Sequence, residues 1–155
     1  MRPLSRYVFE RVEQALANKL GYAGLIPFTI AWLLSLFAKG NIALLGELAF
    51  VSYSAIILSF LCGALWGQAL QGEAEQAGPL QQSNMVAVLA WLVLLGFWCG
   101  LLTAIWALLL LATGYLVLWW MEYMAVNHQQ QPGYRQLRGR LTAAVVVLHL
   151  LMLLT

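Results

Sequence analysis

An uncharged, apolar run of 37 residues, Met85 to Met121, sets the tightest limit on what this chain can fold into. As one α-helix, at ~1.5 Å per residue, it would reach ~55 Å. A bilayer's hydrocarbon core is only ~30 Å thick. The run therefore has to hold two membrane helices and a turn between them. Gly96 and Gly100 bracket the place where the turn fits. We read a third span over Met85 to Trp98 and a fourth over Leu101 to Met121. The third is short and is expected to begin a few residues earlier.

Three further apolar runs complete the pattern. A first span covers about Leu20 to Ala38 and contains Gly24 and Pro27, both tolerated in membrane helices. Lys39-Gly40-Asn41 turns the chain into a second span, Ile42 to Leu70, which at ~40 Å must tilt or protrude. After the Met85–Met121 run comes a polar loop, 122–140, with Pro132-Gly133 as its turn, and then a fifth span from Leu137 to Thr155. A shorter polar loop, 71–83, separates spans two and three. Residues 1–19 carry Arg2, Arg6, Arg11 and Lys19 among Leu4, Val8, Val12 and Leu16. They read as an amphipathic helix on the membrane surface or as a charged leader. No small-x-small cleavage site follows the first run, so the first span is expected to stay attached.

The fold class expected is all-α: an integral membrane bundle of five transmembrane helices, with lipid as its solvent. Composition agrees, at 63% hydrophobic and 9% charged residues, where soluble domains run near ~25% charged. A net charge of +2 argues against nucleic acid as a partner. The placement of the eight cations is more informative. With five spans, Arg2, Arg6, Arg11, Lys19, Arg135, Arg138 and Arg140 fall on one side and Lys39 alone on the other. With Met85–Met121 as a single crossing they would divide evenly. The positive-inside rule then puts the N-terminus in the cytoplasm and the C-terminus outside.

Within the spans, Ala55, Ser59, Gly63 and Gly67 recur every fourth residue on one face of span two. Small side chains let a second helix approach closely, so this face is expected to serve helix packing, in the same chain or another. A cavity beside it would be lined by Tyr53, Ser59, Trp66, Gln68 and Trp91. Ionisable groups in lipid need partners. Glu47 and His149 both fall in the outer third and are expected to hydrogen-bond. Glu122 and Arg138, or Arg135, would tie span four to span five at the opposite interface. Cys62 and Cys99 lie in apolar runs and read as packing residues.

No catalytic residues, cofactor motif or metal-ligand spacing stands out: the chain has no HExxH, GxSxG or P-loop. His128 and His149 are expected on opposite sides of the membrane.

Three segments together carry a family resemblance. They are Gly21 to Phe28 (GYAGLIPF), Tyr53 to Gly67 (YSAIILSFLCGALWG) and Tyr134 to Thr142 (YRQLRGRLT). In order and spacing the chain resembles the transmembrane protein 69-like family, a bacterial and mitochondrial membrane domain of unknown function. Members often carry Gly at the position of Cys62 and a polar residue at that of Leu65, and this chain departs from both. The resemblance implies a multi-pass protein of the bacterial inner membrane or, alternatively, the mitochondrial one, and it implies no reaction. The function expected is that of a non-enzymatic packing or accessory subunit, with a membrane protein partner or a second copy. The alternatives are a carrier or binding protein for a small lipid-soluble molecule and, behind it, a membrane enzyme.

Overall fold

The computed structural model describes residues 15–70, 78–125 and 132–155, and its regular structure is helical throughout. Residues 15–23 are helical and lead through a turn at 24–25 into α1, Ile26–Phe37. Then come α2 (Asn41–Leu70), α3 (Gly78–Trp98), α4 (Ala104–Ala125) and α5 (Pro132–Met152). Four stretches are long and apolar enough to cross a membrane: Ala15–Phe37, Asn41–Gly67, Gln81–Trp98 and Ala104–Met124. α5 carries Arg135, Arg138 and Arg140 in its first turns and an apolar run beyond them. The molecule is a helical membrane bundle. Large apolar side chains such as Phe37, Phe60, Leu92, Trp106 and Leu150 point outward, as they must where the solvent is hydrocarbon.

The helix ends follow from local chemistry. Pro27 has no N–H and falls in the first turn of α1, so the chain breaks at 24–25 and restarts. Gly40 (φ 61°) and Gly100 (φ 71°) occupy the left-handed region that a side chain disfavours. At Gly100 the exit from α3 is a Schellman motif: the Gly100 N–H donates to the Phe97 carbonyl at 3.1 Å and the Leu101 N–H to Gly96 at 2.8 Å. The turn expected between Gly96 and Gly100 is therefore where α3 ends.

α3 begins at Gly78, ahead of Met85 as the shortness of the third span led us to expect, and α5 begins at Pro132 rather than Leu137. Pro79 and Pro132 each fall in a first turn, where the missing N–H would have had no helical partner. The polar Gln81, Gln82, Ser83 and Asn84 thus belong to a helix rather than a loop. The leader over 1–19 lies outside the described residues as far as 14, and residues 15–19 are helical and continuous with the first span.

α2 is the central element, packed against α1, α3 and α4, while α5 closes the bundle against α4 and α1. The core runs through Phe28 and Ala31, Phe50 to Leu65, Val86 and Ala90, Ala107 to Leu118, and Val145 to Met152. α1 and α2 approach closely at Gly46, where an added Cβ would lie 2.7 Å from both the Ala31 carbonyl oxygen and the Ser35 nitrogen. Membrane helices gain stability from such close packing, since lipid offers no hydrophobic drive.

Candidate functional site

A lone histidine in an apolar helix has to find hydrogen-bond partners nearby, because lipid supplies none. His149 of α5 is fully buried, and both ring nitrogens are engaged. Nδ1 lies 2.8 Å from the Val145 carbonyl, one turn back on the same helix. A carbonyl only accepts, so Nδ1 carries the proton. The neutral ring then presents Nε2 as an acceptor for the Ser54 hydroxyl of α2, also at 2.8 Å. The Ser54 carbonyl in turn accepts from the Tyr115 hydroxyl of α4 at 2.9 Å. Phe28, Phe50 and Tyr115 surround the imidazole, with ring centroids 5.0 to 5.9 Å away. Four helices thus meet in one polar knot.

By distance alone Ser54 and His149 form a nucleophile–base pair. Yet both are sealed at 0% exposure, and neither lines any of the three cavities described below. The Tyr115 hydroxyl is committed to the carbonyl of Ser54 itself rather than to a place where substrate charge would develop. The arrangement is suited to tying helices together. The expected bond between Glu47 and His149 is not made, because Ser54 already occupies the ring nitrogen that faces α2. Glu47 and Ser54 are seven residues, two turns, apart on one face.

The other end of the bundle is open. Where α4 ends and α5 begins, the Arg138 Nε donates to the Glu122 Oε2 at 2.7 Å, with both side chains about nine-tenths buried. The structure thus brings together the pair that the sequence placed on spans four and five. The Arg135 guanidinium stacks 4.8 Å above the Tyr123 ring, and Trp119 lies beside Tyr123. Between them is a cleft of about 350 Å³ lined by Arg135, Arg138, Arg140, Glu122, Trp119 and Tyr123 among others. Three cations line it with one carboxylate, where the last turns of α4 and the first turns of α5 bring dipole ends of opposite sign together, so the excess positive charge comes from the arginines. α5 has no acidic residue in its first turn. Such a cleft at helix ends suits an anion.

A second cavity of about 160 Å³ adjoins it, with Arg138 in the walls of both. It runs among Gly21 and Gly24, Ile57, Phe60 and Leu61, Tyr115, and Leu141 and Thr142. A third, about 340 Å³ and wholly apolar apart from Thr113, lies between α3 and α4 against Leu58.

The cavity expected beside span two is not assembled. Tyr53 donates to the Gly24 carbonyl at 3.1 Å, and Ser59 back to Ala55 at 2.9 Å. Trp66 and Trp91 are turned outward, 43% and 56% exposed, and the side chain of Gln68 lies outside the described residues. On the small-residue face only Ala55 is buried. Ser59 is half-buried, and Gly63 and Gly67 are exposed; a Cβ added at either glycine would meet nothing within 4 Å among the described residues. The glycines that bring helices of this chain together are instead Gly21, against Leu141 of α5, Gly46, against α1, and Gly114, against Leu58. Spacing alone did not mark them, since each stands outside a repeat.

A family model described as a protein of unknown function (DUF3429) matches residues 14–154. Over 84 residues the chain is 46% identical to Transmembrane protein 69 of Xenopus tropicalis, an alignment covering 49% of this chain and 31% of that protein. The chain thus spans about a third of that relative's length. No solved structure matches.

Proposed function

This chain belongs to the DUF3429 family of proteins of unknown function, and from that premise we propose that it is a non-catalytic binding protein of an inner membrane. Its ligand is an anionic amphiphile, held where α4 ends and α5 begins. The observation that carries this reading is the cleft lined by Arg135, Arg138 and Arg140 with a single carboxylate, Glu122, which is paired with Arg138. Arginine at a helix end beside Trp and Tyr is the usual equipment for a lipid headgroup, and basic pockets between membrane helices take anionic ones. In the five-span arrangement this end faces the cytoplasm, where anionic lipid provides the ligand. The sealed state of Ser54 and His149 supports a non-catalytic role.

The test is co-purification. Protein extracted in mild detergent should retain anionic lipid above its share of the source membrane. The double variant Arg135→Gln/Arg140→Gln should lose that enrichment while keeping its helical content. Lipid of bulk composition around the unsubstituted protein would sink the reading.

A second reading is favoured by one observation, the open face at Gly63 and Gly67. There the protein would act as a packing subunit, with a helix of a membrane partner or of a second copy laid on that face. Cysteine crosslinking at Gly63 in native membranes would give a discrete adduct if so, and none if the face meets only lipid.

A further inference from the structure

The two cavities that share Arg138 differ in chemistry, and the difference has a direction. The cleft is cationic and aromatic, and at about 350 Å³ it falls within the usual range of ligand pockets, ~300–1,000 Å³. The adjoining cavity, about 160 Å³, is apolar along Leu20, Ile57, Phe60 and Leu61. Leu20 and Phe60 are 64% and 69% exposed, so its mouth opens sideways toward lipid rather than toward water.

One polar atom in this second cavity has no partner among the described residues. Thr142 is 4% exposed, and its Oγ1 has no hydrogen-bond partner. Among the described residues Trp32 Nε1 is the other buried side-chain atom in that condition. Threonine in a membrane helix usually returns its hydroxyl to the carbonyl one turn back, as Thr29 and Thr113 do here. Thr142 does not, although it lines the cavity. It stands four residues beyond Arg138 on the same face of α5, ~6 Å further along the helix axis.

That spacing matches a particular ligand. In a glycerophospholipid the phosphate is joined through the short glycerol unit to ester carbonyls, which only accept hydrogen bonds, and the acyl chains lead away from them. We propose that the cleft and the adjoining cavity are one site for a diacyl phospholipid with an anionic headgroup, its phosphate at Arg138 and an ester carbonyl at Thr142. The first part of one acyl chain lies along Ile57, Phe60 and Leu61, and the rest continues into the bilayer between Leu20 and Phe60. Arg138 is held by Glu122 through Nε alone, which directs its remaining N–H groups to the phosphate. Inorganic phosphate could use the arginines but neither Thr142 nor the apolar walls.

This inference rests on the anionic-amphiphile reading, and the experiment separates the two. Full-length protein in detergent is titrated with dioleoyl phosphatidylglycerol, with dioleoyl phosphatidylcholine and with inorganic phosphate, and followed by native mass spectrometry. Phosphatidylglycerol should bind about tenfold tighter than phosphatidylcholine, and millimolar phosphate should not displace it. Thr142→Val keeps the side chain's shape and removes the hydroxyl. It should weaken phosphatidylglycerol about fivefold, as one neutral hydrogen bond is worth, while raising the melting temperature of the lipid-free protein. Ile57→Phe, which intrudes on the acyl wall, should weaken it at least as much. Arg135→Gln/Arg140→Gln should abolish the preference for phosphatidylglycerol. If the arginine variant loses that preference but Thr142→Val and Ile57→Phe bind as the parent does, the two-cavity site is wrong and the anion cleft stands. If phosphate competes on equal terms, the ligand is a free anion and the phospholipid is excluded. If the arginine variant binds unchanged, both readings fall.

Discussion

The two halves of α2 have much the same composition and opposite surroundings. From Gly46 to Leu58 one broad face of the helix is enclosed, although Ala49 and Ile56 point outward: Phe50, Val51, Ser54, Ala55 and Leu58 are at most 3% exposed, and an added Cβ at Gly46 would strike backbone. From Ser59 onward it is half open. Cys62 and Leu65 are buried, but Gly63, Trp66 and Gly67 face outward, and the second cavity borders Phe60 and Leu61. The first half is where helices meet and polar groups satisfy one another. The second half leaves open space against the described residues, at Gly63 and Gly67 and in the cavity beside Phe60 and Leu61. Small residues occur in both, so a glycine's meaning depends on what stands opposite it.

The largest effect should come at Gly46. A Cβ there would sit 2.7 Å from two backbone atoms of α1, neither of which can swing aside. Gly46→Val should therefore cost about 3 kcal/mol or more in unfolding free energy, whereas Gly63→Val should leave stability within about 0.5 kcal/mol. Thermal or denaturant unfolding in a fixed detergent measures both. Equal sensitivity at the two glycines would break the contrast. Next comes Glu122→Gln, which strands the buried Arg138 guanidinium. Breaking a buried pair from one side costs ~3–5 kcal/mol. Arg138 also borders two cavities that water or a headgroup can reach, so we expect about 2 kcal/mol, largely recovered when anionic lipid is supplied. Recovery with zwitterionic lipid to the same extent would remove the charge argument.

Much of the architecture could be read from lengths and charges. A 37-residue apolar run has to turn, and Gly100 is the residue able to do it. Glu122 and Arg138 were legible as a pair because each is an ionisable group at the end of a span, with few others near. The knot was not. Sequence reasoning took the strongest acceptor, Glu47, as the partner of His149, and so chose the right face of α2 but the wrong turn. A serine reads as background in an apolar helix until the helix crossing is known. Gly46 and the two cavities depend on the distance between helices, which no single helix's pattern encodes. The start of α5 was placed too late, and that of α3 only roughly, because polar side chains were equated with loop, while Pro79 and Pro132 marked first turns.

Smaller effects, and the sharpest test of the enclosed half, come at the knot, beginning with Ser54→Ala. Removing the hydroxyl leaves the His149 Nε2 without its donor at a site with 0% exposure. Interhelical hydrogen bonds in membranes average only ~0.6 kcal/mol, because the unfolded chain in lipid finds partners too. A buried acceptor left unpaired adds to that, with a full penalty of ~1–3 kcal/mol. We expect about 1 kcal/mol for Ser54→Ala. Tyr115→Phe should cost less, because the Ser54 carbonyl that loses the hydroxyl remains in the backbone ladder of α2. The double variant reveals how the knot is built. The Tyr115 bond ends on the backbone of Ser54, not on its side chain, and so survives Ser54→Ala. The two losses should then add to within about 0.5 kcal/mol. A larger coupling would mean that the hydroxyl of Tyr115 polarises the Ser54–His149 bond through the intervening peptide, making the four-helix junction one cooperative unit. A loss at Ser54 no greater than that at Gly63 would mean the knot is only dense packing, and would leave Gly46 as the sole feature distinguishing the enclosed half of α2 from the open one.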